Sequence, residues 1–413
     1  MTGIDLRPFL PPGADLWWGQ AGAEPQPLVH ALLDQLPGLG PRRAFCGLSW
    51  DRRLTRELPE QLSILSYGGL GELRALSRAG RLDVLPCHYS ALPRMFAEGF
   101  LPTDVGLVQV SPPDAGGNCS LGIGVDYSAD AIPHTRTLIA EINDRMPVTT
   151  GSPRLPIDRF AAVVRTDRPL TQAPERAPDD VELAIARHVA ALVEDGDTIQ
   201  LGVGSLAAAV LDALSGHTGL GVHTGMITDG VLRLAEKGVI TGGRKEIDLG
   251  LIVTGAALGS TELYSGLDRL PVEFRPASYT HAPGTLSQLR SFVSINSAIE
   301  IDLSGQVGAE VRRGAYVGAV GGQVDFSRAA ALTGARSVIA LRSTSGGEST
   351  INARISSGVV TTTRSDVDVV VTEHGVAWLR GRNLSERARA LIAVAAPEHR
   401  EELEWHHREE SLR

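Results

Sequence analysis

Short aliphatic and β-branched runs recur along the chain, at Val105–Val110, Thr137–Ile142, Phe160–Val164, Ile199–Leu201, Ile247–Val253, Ser337–Leu341 and Val367–Thr372. Between them lie longer Ala-, Leu- and Arg-rich segments whose apolar residues return at helical spacing. Brief, continuous apolar runs suit strands buried on both faces, and their alternation with helical segments predicts an α/β protein with mainly parallel sheets. The pattern is interrupted from Arg165 to Asp180 by the polar, proline-bearing RTDRPLTQAPERAPDD. The helical VELAIARHVAALVEDG follows, with Gly196 expected as the residue that closes it. This break sets the expected domains at 1–178 and 179–413.

A faint repeat is also legible. Asp114-Ala-Gly-Gly117 follows LVQVS, and Asp302-Leu-Ser-Gly305 follows FVSINSAIEI, so an apolar run leads into D-x-x-G once in each half. Such turns are common, and the echo alone does not establish a duplication. The charged run EHREELEWHHREESLR at the C-terminus predicts a solvated helix with Trp405 packed beneath it.

Composition then narrows the function. With 413 residues, 43% hydrophobic, the chain is long enough for two sizeable cores. A net charge of −9, with Lys and Arg scattered, disfavours nucleic acid and polybasic membrane contacts, leaving small-molecule chemistry as the expectation. The three cysteines form no C-x-x-C pair, which argues against a disulfide framework or thiolate zinc site and fits a reducing cytoplasm. Neither a targeting segment nor a membrane span is expected. HExxH, GxSxG and clustered Cys/His are absent, so no metal is expected, and His88, His134, His223 and His374 read as structural.

Four places carry candidate chemistry. Ile199-Gln-Leu-Gly-Val-Gly-Ser is a strand turning through Gly202 and Gly204 into a helix, which can aim backbone N–H groups at an anion. The next strand, Gly219–Val222, runs into His-Thr-Gly rather than an acidic residue, which disfavours a dinucleotide. Phosphate or pantetheine contact and simple tight packing both remain open. A second glycine turn, with Gly318, Gly321, Gly322 and Gln323, lets backbone approach a ligand closely or merely joins strand to helix. Asn296 can donate to a developing oxyanion, although asparagines also serve as turn residues. Glu373 ends an apolar strand, where open α/β sheets place ligands, although a lone glutamate more often caps an element or lies at the surface.

Together these segments form one ordered pattern. SPPDAGGNCSLGIGVDYSADAI, EINDRMPVTTG, GVGSLAAAVLDAL, HTGMITDGVLRLAEKGVITG, SINSAIEIDLSGQVGAE, VGAVGGQVDFSRAA and the stretch from Val360 through VVVTEHG to APEHREEL resemble the acetyl-CoA hydrolase/transferase family. That family includes 4-hydroxybutyrate, acetate and succinate CoA-transferases. The resemblance implies two tandem NagB/RpiA/CoA-transferase-like domains, an active site in the cleft between them, an acyl-CoA or related thioester as substrate, and a homodimer. In that family a glutamate attacks the acyl-CoA and passes through a glutamyl-CoA thioester, covalent catalysis divided into easier steps. The matching segment is His223-Thr-Gly-Met-Ile-Thr-Asp-Gly230, and its nucleophile position is Gly225. Asn296 matches the family asparagine near the thioester oxygen, Gly318–Gln323 the oxyanion turn, and Glu373 the glutamate of VTE-x-G. Ala207 replaces a proline frequent in the family.

Glycine offers no side chain for an anhydride or thioester, so ping-pong transfer cannot run from position 225. The favoured expectation is an enzyme that activates a thioester carbonyl for water or a non-standard acceptor, with Glu246, Glu262, Glu300 or Glu373 as base or replacement nucleophile. The alternatives are an inactive CoA-binding or regulatory homologue, and a different chemistry on the same fold. If only the nucleophile was lost, Gly225→Glu restores transfer. Loops Ala256–Tyr264 and Ser278–Leu289 are expected to shape the acyl pocket, but nothing in them names the acyl group.

Overall fold

The computed structural model describes residues 3–173 and 176–411. Pro174 and Glu175 of the expected linker, and Leu412 and Arg413 of the tail, lie outside the described residues. The chain divides into two compact units. One comprises Met1–Ala173, Val253–Thr280 and Ala315–Ala319; the other comprises Pro174–Ile252, His281–Gly314 and Val320–Arg413.

In the first unit, β1 (Leu16–Trp18), β2 (Arg42–Phe45), β3 (Leu62–Ser66), β4 (Leu82–Val84), β5 (Val105–Val110), β6 (Thr137–Asn143) and β7 (Phe160–Thr166) form one all-parallel sheet in the order β4-β3-β2-β1-β5-β6-β7. Every residue of β5 is buried, as a central strand covered on both faces requires. At the edge, β7 alternates between less and more exposed positions, because only one of its faces is covered.

The second unit repeats the path. Its strands β8 (Thr198–Leu201), β9 (Gly221–Ile227), β11 (Phe292–Ser297), β12 (Arg336–Ala340) and β13 (Val369–Thr372) lie in the order β9-β8-β11-β12-β13, all parallel. The hairpin partner β14 (Gly375–Trp378) adds an antiparallel edge. In both units the first strand sits centrally, with the second on one side and a long buried strand on the other. The fold is therefore α/β with mainly parallel sheets.

The two D-x-x-G turns share one hydrogen-bond pattern. Asp114 Oδ1 accepts from the N–H groups of Gly116 and Asn118, and Asp302 Oδ1 from those of Ser304 and Gln306. Gly117 N–H donates to Asp114 O at 2.9 Å and Gly305 N–H to Asp302 O at 2.8 Å. Both glycines have positive φ, +78° and +97°, a conformation most side chains disfavour. The weak sequence echo is a structural repeat.

Three expectations shift. The run Ile247–Val253 is mostly a turn, with Asp248 at φ +53° and Gly250 at φ +77°; the strand there is β10, Ile252–Ala257. The helix after the linker spans Asp180–Ala190 and closes on Ala191, so Gly196 does not end it. Gly196 instead turns the chain toward β8 at φ +92°, its N–H donating to Thr218 O at 3.0 Å. On the Arg400–Ser411 helix Trp405 is 53% exposed, and Leu403 is the residue packed beneath, against Leu391, Val394 and Ala395. No helix among the described residues is long and apolar enough to cross a membrane.

Candidate active site

Loops at the carboxyl ends of parallel strands are where α/β sheets bind ligands. Along this edge of the second unit stand Gly225 on β9, Gly202 after β8, Asn296 on β11, Arg342 and Ser343 after β12, and Glu373 after β13. Thr224 Oγ1 ties β9 to β8 by donating to Leu201 O at 3.0 Å. Gln200 links β8 to β11: its Nε2 donates to Asn296 Oδ1 at 3.3 Å, and its Oε1 accepts from Asn296 Nδ2 at 3.1 Å and Ser294 Oγ at 3.0 Å. Asn296 Nδ2 also donates to Ser294 Oγ at 2.9 Å. Both amide hydrogens of Asn296 are thus engaged, and an oxyanion would have to take one from Gln200 or Ser294.

The feature absent from the sequence reading is His281. A β-carbon on Gly225 would lie 2.9 Å from His281 Cε1 and 3.0 Å from Nε2; one on Gly322 would lie 2.5 Å from Nε2 and 2.7 Å from Cδ2. The imidazole is wedged between these two glycines, with the Phe326 ring 4.8 Å away, centroid to centroid. Its segment is held in place because Leu286 and Leu289 sink into a cluster with Phe292, Phe326, Ala329 and Ala330. His281 is only 4% exposed. Burial, assisted by neighbouring His223, pushes its pKa down to about 3, so the ring is neutral at ordinary pH. Sequence gave one usable hint, since His281 lies in the loop expected to shape the pocket. Its meeting with two glycines far away in the chain is a property of the fold.

The four carboxylates lie elsewhere. Glu246 Oε1 accepts the N–H groups of Arg290 and Ser291, at 2.9 and 2.7 Å, and so pins the entry to β11. Glu262 is exposed in the first turn of a helix of the first unit. Glu300 is caged by Asn352, Ser356 and Ser357; burial raises its pKa, but those hydrogen bonds outweigh it and leave a net lowering. Glu373 accepts Ser343 N–H at 2.9 Å and Ser343 Oγ at 2.6 Å. Four strand spacings separate β9 from β13, about 19 Å, more than a glutamate side chain can bridge.

The glycine turns divide differently. Gly204, at φ +116°, opens the Ser205–Ala213 helix, and neither Gly202 nor Gly204 has an atom within 4 Å of where a β-carbon would stand, so backbone there is open to approach. Beside it Ser205 Oγ donates to Glu182, which pairs with Arg176, while Arg342 pairs with Asp179 at 2.8 Å. In the second turn, Gly318 belongs to the first unit, where its carbonyl accepts Gly69 N–H at 3.0 Å. Gly321 and Gly322 belong to the second, and Gln323 Nε2 donates to Thr362 Oγ1 at 3.0 Å. Among the described residues no group of three or more His, Cys, Asp or Glu is placed to hold a metal.

Two units built on mainly parallel sheets, the second with glycines along its carboxyl edge, define an α/β protein. Residues 65–171 match the acetyl-CoA hydrolase/transferase N-terminal domain and residues 259–407 its C-terminal domain. Over 338 residues the chain is 41% identical to 4-hydroxybutyrate coenzyme A transferase of Clostridium kluyveri, spanning 81% of this chain and 79% of that one. Among solved structures, RipA from Yersinia pestis superposes with a TM-score of 0.91 at 32% identity, covering 99% of this chain and all of that one. The 4-hydroxybutyrate CoA-transferase of Porphyromonas gingivalis gives a TM-score of 0.82 at 35% identity, covering 98% and 96%. The chain belongs to the acetyl-CoA hydrolase/transferase family.

Proposed function

We propose that this chain binds an acyl-CoA at the carboxyl edge of its second sheet and cleaves the thioester without a glutamyl-CoA intermediate. In this reading Gly225 stands where the family carries its nucleophile, Asn296 and the Gly321–Gly322 turn receive the thioester oxygen, and Arg176 and Arg342 lie along the edge that meets the anionic cofactor. The observation that carries it is the His281 ring against Gly225. Even a β-carbon at 225 would press on that ring, so the glycine is built into the packing. None of the other candidate carboxylates is held at this point.

The test is incubation with a panel of acyl-CoAs, scoring free thiol. CoA release without a carboxylate acceptor, and no glutamate carboxyl reduced to an alcohol after borohydride, is the expected result. A trapped glutamyl-CoA peptide would overturn the mechanism. Tight CoA binding with no turnover of any thioester would identify a binding module instead.

A further inference from the structure

We infer that Gln200 is the positioning residue for Asn296, holding its amide at rest and releasing one Nδ2 hydrogen to the thioester oxygen. This inference rests on the acyl-CoA reading above and concerns the oxyanion side of the same site. The sequence puts an amide where a strand covered on both faces calls for an aliphatic residue. Gln200 lies between Ile199 and Leu201 on β8, every residue of which is buried, and is itself 3% exposed. A buried amide is costly unless its donors and acceptor are satisfied. Among the described residues the Gln200 side chain bonds only with Asn296 and Ser294.

β8 runs between β9, which carries Gly225, and β11, which carries Asn296. Parallel pairing sets Gln200 level with Ser294, and the half-buried Asn296, two residues further on, shares the face of Ser294 nearer the carboxyl edge. The bonds among the three have a direction. Gln200 Oε1 takes the one hydroxyl hydrogen of Ser294 at 3.0 Å, so Ser294 Oγ can only accept from Asn296, and Nδ2 rather than Oδ1 lies on it at 2.9 Å. Gln200 Nε2 meets Asn296 Oδ1 at 3.3 Å and completes the orientation. The second Nδ2 hydrogen, on Gln200 Oε1 at 3.1 Å, is the one that can be given up. Gln200 Oε1 then keeps the Ser294 hydrogen, Asn296 stays anchored on Ser294 Oγ, and the new bond to a negative oxygen is the stronger one.

The experiment follows CoA thiol release from the best acyl-CoA of the panel by wild type, Gln200→Met, Asn296→Ala and the double variant, with Tm for each. Asn296→Ala is expected to lose about 10²–10³-fold in kcat, the usual loss of an oxyanion donor. Gln200→Met, similar in length but without the amide, should lose about 10–100-fold with KM little changed. The double variant should be no slower than Asn296→Ala, because a residue acting through Asn296 has nothing left to position. Gln200→Glu gives a second reading and covers a Gln200→Met that fails to fold. As a neutral acid it keeps one donor and one acceptor, whereas as a carboxylate it has no proton to meet Asn296 Oδ1. Its kcat relative to wild type should therefore fall as pH rises from about 5 to about 9, which a mere brace of the sheet would not produce. Losses that multiply in the double variant, or a flat pH ratio for Gln200→Glu, would overturn the assignment while leaving the acyl-CoA reading intact. So would Gln200→Met or Asn296→Ala within about twofold of an active wild type. A wild type inert to every thioester would overturn the acyl-CoA reading and this assignment with it.

Discussion

The ring of His281 stands 2.9 Å, at Cε1, from the point where a side chain on Gly225 would begin. A contact this short cannot be relaxed cheaply, since the ring is buried and Gly322 closes its other flank. Gly225→Ala and Gly322→Ala are each expected to destabilise the protein by about 1–3 kcal/mol, the usual cost of overpacking. Adding His281→Ala should remove most of either penalty, giving a coupling visible in a double-mutant cycle by urea unfolding. Strict additivity would show that the ring and the glycines do not compete for space.

The same overlap governs any attempt to install a glutamate at 225. Gly225→Glu alone is expected to give no CoA transfer to acetate and a lowered Tm. Gly225→Glu with His281→Ala should accept CoA on residue 225, detected as borohydride reduction of that glutamate's carboxyl to an alcohol. Transfer activity in the single variant would show that the space was never filled.

His281 also sets a pH dependence. Its folded pKa of about 3 lies below the ordinary 6.5, so the unfolded chain binds a proton there that the native state refuses. The stability owed to the neutral ring is complete above about pH 6.5 and is lost as pH falls toward 3, by up to about 1.4 kcal/mol per pH unit. His281→Asn should flatten that limb in denaturant titrations between pH 6.5 and 4. An unchanged slope would show that another group controls it.

Glu24, in the first unit, works in the opposite direction. Burial pushes its pKa from 4.5 up to about 8, against a hydrogen bond from Ser49 Oγ at 2.6 Å. The native state therefore holds a proton that the unfolded chain releases, and stability declines as pH rises from about 4.5 to 8. Glu24→Gln is expected to gain stability relative to wild type at pH 8 more than at pH 5. Equal shifts at both pH values would count against a protonated Glu24.

Glu300 is expected to matter to the fold rather than to the reaction. Glu300→Gln forfeits charge-assisted bonds from Ser356 and Ser357 and should cost about 1.5–3 kcal/mol. The kcat of the remaining folded protein should stay near wild type. A selective loss of kcat would return Glu300 to the list of possible bases.

Much of this architecture can be read in the chain because buried parallel strands leave continuous apolar runs, as at Val105–Val110 and Val369–Thr372. The D-x-x-G echo was readable for a similar reason, since each aspartate and glycine serves its own turn. Gly196 misled because a positive-φ glycine suits a loop as well as a helix end. Trp405 misled because a large apolar residue on a mostly polar helix can lie outside the covered face. The site was half legible: the glycines and Asn296 sit in recognisable segments, whereas His281 acquires its meaning only when residues 225, 281 and 322 meet.

That meeting has a mutational consequence. Some glycine and glutamate codons differ by a single nucleotide, so a glutamate at 225 looks one step away on paper. With the imidazole seated against two backbone segments, a side chain added at 225 would meet an occupied position unless the ring moved. A glutamate at 225 is therefore expected to fit only once the histidine is replaced.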